Sequence, residues 1–528
     1  MPVTSDPLDP VAVLVVGGGP AGLAAAAELT HHGIGCVVVE PRHEVSHARP
    51  RAKTTSVRTM EHLRRWGLAD VLRAAAPLTP SWSQRVTFCE SLTGARIVDV
   101  DDVFGLVSQR DERFSEGGQQ VAQPVVEEVL RSHLAASPAA ELRFGHRVTG
   151  IRERDDAVVA SITDDAGQTY ELAARYVIGC DGPSSQIRAA IGSTLVGEAD
   201  ARPNFNIRFR APELDTPLGP AVQYWVMGPH ARGLIGRLDH DGNWWAILPG
   251  IDAENGEAHA EELVLALIGT AADVEVLSTD TWTARMMVAD RFQSERVFLA
   301  GESAHLNPPW GGHGYNTCLG DAVNIAWKIA AVEQGWASPA LLASYEPERR
   351  SVVEQTVATA AQNMRTLPTN LLPDAASILR DKTAEFHSLG LVLGYSYAGS
   401  PVVQPGHARP DLDPVTFTPT TEPGVRLPHT WLPDGSSLFD HLGRSLTLVG
   451  PLSAFAHDVA DLVAHATSLG IPLTTLEAPA NYPWRDEFLL VRPDQHIAWR
   501  ASTPREIDLV HVTGRAPVHP RPERSTTP

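Results

Sequence analysis

The hydrophobic pattern changes period twice within the stretch 11–40. Val11 to Val16 is an uninterrupted apolar, β-branched run that stops at glycines, as a strand buried on both faces of a parallel sheet does. Ala21 to Ala27 then favours helix, Gly33 ends it, and Val37 to Val39 makes a second buried strand that closes on Glu40. Further on, Thr59 to Trp66 reads as a helix stopped by Gly67, residues 79–110 as an inserted hairpin, and the segment from Gln123-Pro124 as a helix with proline in its first turn. Leu142 to Ile151 and Ala157 to Ile162 read as strands of a meander that ends in Ala174 to Gly182. From Ala201 to Trp282 the period is two: Phe205, Ile207 and Phe209 alternate with Asn204, Asn206, Arg208 and Arg210. Strands over Gln223–Met227, Gly233–Leu238 and Asn243–Leu248 follow, so this is a sheet-rich domain. Its Tyr224, Trp225, Trp244 and Trp245 fall on both faces, where they either pack against helices or wall an apolar pocket.

Glycine placement gives the first stretch a chemistry. Gly17, Gly19 and Gly22 satisfy G-x-G-x-x-G between strand and helix: Gly17 for the turn, Gly19 for close approach of a pyrophosphate, Gly22 for packing of helix on strand. The helix begins there, so its free N–H groups face the phosphates. Glu40, 18 residues beyond Gly22, stands where an acid accepts hydrogen bonds from ribose hydroxyls. Strand, glycines, helix, strand and acid in register predict an FAD or NAD cradle. Arg49, Arg51 and Arg58 cluster just past it, as phosphate partners or as a solvated basic face.

Two later segments extend the pattern. Asp181-Gly182 ends a strand and precedes Ser184, Ser185 and Arg188 at a helix start, the edge at which α/β sheets bind ligands. Arg296 to Ala300 is another buried strand, running into GESAHLNPPWGGHGYN and a helix expected from about Leu319 to Val332. Its prolines and Gly311, Gly312 and Gly314 suit backbone pressed against a flat ligand. His305 and His313 are either bases or structural residues.

Composition narrows the alternatives. The 528 residues suffice for several domains, and 43 basic against 63 acidic side chains leave a net charge of −20, which repels nucleic acid and anionic membranes. The four cysteines, Cys36, Cys89, Cys180 and Cys318, have no C-x-x-C or zinc spacing and read as reduced thiols of a cytoplasmic protein; no metal site is expected. No stretch reads as a signal peptide or membrane span. Lysine is scarce, with only Lys53, Lys328 and Lys382. The arginine-heavy usage points to a GC-rich bacterial genome.

Together the glycine cradle with Glu40, the Cys180-Asp181-Gly182 segment with Arg188, and Gly301 to Asn316 resemble, in order, the three fingerprints of the FAD-dependent aromatic hydroxylases of the para-hydroxybenzoate hydroxylase type, the group A flavoprotein monooxygenases. LGYSYAGSP at 393–401, WLPDGSSLFDHLG at 431–443 and LLVRPDQHIAWR at 489–500 resemble the larger phenol hydroxylase-like members. The resemblance implies an α/β fold: a Rossmann-like FAD-binding domain (1–195 and 286–401), an inserted antiparallel-sheet substrate domain (196–285) and a thioredoxin-like C-terminal domain (402–528). The last contains no cysteine, which excludes dithiol chemistry and leaves a structural or dimerisation role, so a homodimer or higher homo-oligomer is expected.

By position, the resemblance assigns Glu40 to the adenosine ribose, and Arg42, Arg51 and Gln123 to the FAD phosphates or flavin. Asp181 would serve the second fingerprint and residue 302 the ribityl chain, while Pro309, Gly311, Gly312 and Asn316 would line the isoalloxazine, Pro309 beside the reacting centre. At 302 the family has Asp and this chain has Glu302, one methylene longer. The substrate is expected on a sheet face bearing Tyr224, Arg237, Asn243 and Trp245. The implied reaction uses tightly bound, non-covalent FAD, transient NADPH or NADH, and O2 to hydroxylate a phenolic or other electron-rich ring through a C4a-hydroperoxyflavin, in secondary metabolism or aromatic degradation. Epoxidation or Baeyer–Villiger insertion by the same flavin, a halogenase, and a non-enzymatic flavin-binding sensor or scaffold are the rivals. NWWAILP at 243–249 fails the halogenase W-x-W-x-I-P register, and Lys53 is the main candidate for the lysine that chemistry needs.

Overall fold

The computed structural model describes residues 10–366 and 374–515 and divides into two compact units. The first holds residues up to 326 together with 352–394 and 412–418; the second holds 327–351, 395–411 and the chain from 419.

Two sheets build the first unit. The nucleotide sheet has Val11–Val16 at its centre, flanked in parallel by Cys36–Glu40 and Thr169–Gly179. Ala140–Phe144 extends it in parallel beyond Cys36–Glu40. The strand Thr169–Gly179 changes neighbours along its length: up to Ala174 it pairs antiparallel with Val158–Asp164, and from Val177 it runs parallel with Val297–Leu299. The first and third glycine motifs thereby lie beside one strand end. The stretch read as a single strand over 142–151 is two, because Gly145 at φ +74° breaks it; Ala140–Phe144 joins the parallel part and only His146–Glu153 enters the meander. Of the three lysines Lys382 also lies in this unit, buried with Glu385 at 2.9 Å.

The second sheet has eight strands in the order His305–Leu306, Glu275–Ala289, Leu195–Arg210, Asn243–Pro249, Arg232–Arg237, Gln223–Met227, Val86–Cys89 and Arg96–Val100. The hairpin read within 79–110 is therefore an edge of this sheet, with Val86–Cys89 pairing parallel to Gln223–Met227. Glu275–Ala289, the longest partner of Leu195–Arg210, escaped the sequence reading because Ser278, Thr279 and Asp280 interrupt its apolar pattern. On one face Phe205, Phe209, Tyr224, Ile235 and Trp244 pack under the helix Ala260–Ile268.

In the second unit Leu446–Gly450, the helix Ala456–Ser468 and Leu473–Glu477 form a parallel βαβ crossover, completed by the antiparallel strands Phe488–Val491 and Ile497–Ala501. This is the α/β layout expected of a thioredoxin-like domain. A fully buried ion cluster lies in the same unit: Glu348 accepts from Lys328 at 2.7 Å and from both terminal nitrogens of Arg492 at 2.8 Å, and Arg492 also reaches Asp494 at 2.6 Å.

Candidate functional site: a dinucleotide cradle facing an aromatic sheet

Three loops converge on the N-terminus of the helix Pro20–His31. A Cβ at Gly17 would stand 2.3 Å from the carbonyl of Cys180, so the first motif rests directly on the second. One at Gly22 would lie 1.8 Å from the Gly17 carbonyl, which closes the turn, and one at Gly301 would meet Ala21 at 2.9 Å, which seats the third motif on the first. Arg188 donates to the Ser303 carbonyl at 3.0 Å and ties the second to the third. Gly19 differs: nothing lies within 4 Å of its Cβ position, and no side chain caps the helix it begins. Open space in front of uncapped helical N–H groups suits a pyrophosphate.

Glu40 is buried beside this opening. Its carboxylate accepts from Gly18 N–H at 2.7 Å and from the backbone and Nε of Arg42 at 3.0 and 2.7 Å. Burial alone would raise its pKa, but the Arg42 hydrogen bond and charge, with the Gly18 amide, hold it below the ordinary carboxylate range. Arg42 continues to Glu127 at 3.5 Å, and Glu127 accepts from Gln123 at 2.9 Å, so Glu40, Arg42 and Gln123 form one chain of contacts. Asp181 holds the next helix start, accepting from the N–H groups of Gln186 and Ile187 at 2.8 and 3.1 Å. Glu302 is exposed, next to buried Gly301 and Ser303.

The third loop is stapled by Asn316. Its side chain accepts from Ser56 N–H and Thr59 Oγ1, both at 2.8 Å, and donates to the carbonyls of Gly312 at 2.8 Å and Thr54 at 3.3 Å. All four contacts are internal, so Asn316 shapes the loop and leaves its backbone to face a ligand. The helix begins at His313 rather than near Leu319, because the glycines at 311 and 312 take positive φ and turn the chain directly into it. His313 is buried, its Nε2 has no partner, and burial lowers its pKa to about 4, which keeps it neutral. His305 pairs with Asp321 at 2.7 Å, and Asp321 also accepts from Gly301 N–H at 3.1 Å. His305 thus braces the loop from behind.

The four sheet residues expected to share a face do not. Tyr224 and Arg237 lie on the face under the helix Ala260–Ile268: the Tyr224 hydroxyl donates to the Gly219 carbonyl, and Arg237 donates to Leu214 and covers the ring of Trp244 at 4.3 Å. Strand alternation puts Asn243 and Trp245 on the other side. Trp245 stands opposite Gly236 and Arg208, while Ile247 stands opposite Leu234 and Asn206. Asn206 in turn stands opposite Asp280 and accepts from Trp282 Nε1 at 3.0 Å. Trp282 lies 6.0 Å from Trp310, which follows Pro309 in the third loop. The sheet and the flavin-type loop therefore meet through tryptophans. Trp282, Trp310, Asn206 and Asp280 escaped the sequence reading, since the polar side of an alternating strand looks the same whether it faces water or a site.

The cradle, the acid and the glycine loop fit FAD, and residues 10–360 match the FAD binding domain family. Residues 420–516 match the C-terminal domain of the aromatic-ring hydroxylases. The chain belongs to the FAD-dependent aromatic-ring hydroxylases. A 4-methyl-5-nitrocatechol 5-monooxygenase from a Burkholderia species is 32% identical over 95% of this chain and 96% of its own. Aklavinone 12-hydroxylase DnrF of Streptomyces peucetius is 31% identical over 80% and 87%. Chromopyrrolic acid-soaked RebC with bound 7-carboxy-K252c superposes with a TM-score of 0.86 at 31% identity, covering 96% of this chain and all of that one. The protein is accordingly a flavin monooxygenase that uses FAD. Among the described residues no group of His, Cys, Asp and Glu could hold a metal ion, and no helix is long and apolar enough to cross a membrane.

Proposed function

We propose that this hydroxylase acts on a phenolic ring carried in an extended aromatic framework, bound between the third loop and the Trp245 face of the eight-stranded sheet. The observation that carries the reading is the pair Trp282 and Trp310, 6.0 Å between ring centroids, an aromatic wall supplied by a strand of the sheet and the loop after Pro309. Flat rings gain from stacking on such walls, and the walls exclude water. Relatives named for a nitrocatechol and for aklavinone support an aromatic substrate.

Bound FAD, reduced by NAD(P)H, supplies the activation of O2. The chain's own residues do the rest. The open edge at Gly19 and the helix N-terminus take the pyrophosphate, Glu40 the ribose hydroxyls, and exposed Glu302 the ribityl chain. Gly311 and Gly312, fixed by Asn316, present backbone to the isoalloxazine, with Pro309 at its rim and Arg51 at the edge of the adjoining hollow. Hydroxylation is faster on a phenolate, so a group must take the phenol proton. Asp280 is our candidate for it, supported by burial, which raises its carboxyl above the ordinary value although Arg49 and Arg51 oppose the shift. The four free cysteines agree with action in a reducing cytoplasm.

The test is a panel of phenols of one to four fused rings, followed by NAD(P)H consumption and product mass. The reading requires strongest stimulation by fused-ring phenols with a gain of one oxygen. Equal or better turnover of simple phenol would confine the substrate to a single ring.

A further inference from the structure

The loop 48–53 and the polar face of the sheet line an open hollow. Its floor is the ring of Trp245, and Lys53 Nζ lies over that ring, 4.2 Å from its centroid. Four cationic side chains, Arg49, Arg51, Lys53 and Arg208, line the hollow against one carboxylate, Asp280. Arg49 is spent on Asp280 at 2.7 Å, and Arg208 donates to the His47 carbonyl at 3.1 Å and leans on Asn243. Lys53 is left with the tryptophan ring: among the described residues no carboxylate pairs with it. An ammonium held on an aromatic ring without a counterion is an arrangement completed by an oxyanion that meets Nζ.

We propose that Lys53 is a specificity-determining residue that selects substrates bearing an ionised oxygen, a carboxylate or an acidic phenolate, on the aromatic framework. The inference rests on the hydroxylase reading above and deepens it. In a chain with three lysines, the other two are buried against Glu348 and Glu385, so Lys53 is distinct in its setting as well as its type. Burial lowers the Lys53 pKa to about 7, so near neutrality the amine of the free enzyme is only partly charged. An oxyanion at Nζ favours the ammonium, and binding draws a proton from solvent. The other charged groups that face Lys53 are Arg49, Arg51, Arg208 and Asp280, and Asp280 is bonded to Arg49 at 2.7 Å.

The test uses the FAD-loaded full chain and a matched pair of probes, 3-hydroxy-2-naphthoate and its methyl ester, with binding read by tryptophan fluorescence and by calorimetry in two buffers of different ionisation enthalpy. The expected result is a preference for the acid of about 10- to 100-fold, the range of one charge-assisted hydrogen bond, with proton uptake at pH 7.5. Lys53→Met abolishes both the preference and the uptake, and Lys53→Arg keeps the preference without the uptake. Equal affinity for the two probes, or a preference that survives Lys53→Met, overturns the proposal. So does a Lys53→Met defect that raises the KM for NAD(P)H alone, which would assign the hollow to the nicotinamide nucleotide. FAD uptake and NAD(P)H oxidation stimulated by uncharged phenols are measured on the same proteins, and their persistence leaves the hydroxylase reading standing if the anion preference fails.

Discussion

Adding one methyl group at two glycines of the same motif should have opposite consequences. At Gly19 the new Cβ enters open space, and the backbone at φ −80° is one that alanine adopts freely. Gly19→Ala should therefore leave the apoprotein as stable as wild type, or more stable by about 0.4–1 kcal/mol through lost freedom of the unfolded chain. The methyl group occupies the place where the pyrophosphate meets the helix amides. Losing one or two charge-assisted hydrogen bonds at about 1.5–3 kcal/mol each weakens FAD at least tenfold. At Gly22 the Cβ lies 1.8 Å from the Gly17 carbonyl, a backbone atom that cannot rotate away. Gly22→Ala should destabilise the apoprotein itself by about 1–3 kcal/mol or more. Thermal melts of the two apoproteins, with fluorescence titration of FAD into each, separate the effects. Wild-type FAD affinity in Gly19→Ala would refute the placement of the pyrophosphate, and wild-type stability in Gly22→Ala would refute the packing.

Other substitutions probe the remaining parts. Tyr224→Phe should cost about 1 kcal/mol of stability, the worth of its bond to the Gly219 carbonyl, and leave kcat/KM within twofold; a tenfold loss of turnover would return Tyr224 to the substrate face. Asn316→Ala removes four contacts that join residues 54–59 to the glycine loop, and FAD affinity should fall at least tenfold, read by flavin release on gel filtration. Glu348→Gln leaves Lys328 and Arg492 short of a buried counterion and should destabilise the second unit by about 3–5 kcal/mol in urea unfolding. Burial would raise the Glu348 pKa, but Arg492 and Lys328 hold it at about 2, below the unfolded value of 4.5. Its contribution is thus complete above pH 4.5 and lost as pH falls toward 2, so the wild-type advantage over Glu348→Gln should shrink across that window.

Much of the cradle was legible because its geometry is local. A buried strand, three glycines, a helix and an acid lie within 11–40, and the nearest neighbours of Gly17 and Gly22 are backbone atoms at the end of the adjoining strand and a few residues away. The order of the motifs also carried the α/β fold class. The substrate face was less legible for a definite reason. Period two says that Tyr224 and Trp225 point apart, but which side meets the helix Ala260–Ile268 depends on a helix the strand pattern does not announce. Tyr224 and Arg237, attractive as polar groups near tryptophans, serve that packed side. Asn206 and Trp282 come from strands paired across a long connection, so their hydrogen bond has no trace in local spacing. Lys53 stood out by rarity alone, and only the fold puts it on Trp245.

Oxygen tracing tests the central claim most directly. The FAD-reconstituted protein, supplied with NAD(P)H, a fused-ring phenol that stimulates its oxidation and an atmosphere of 18O2, should yield a product carrying one 18O atom, with the second leaving as water. A product labelled from solvent water, or NAD(P)H oxidation that yields only hydrogen peroxide with every ring tested, would contradict the assignment of this chain as an aromatic monooxygenase.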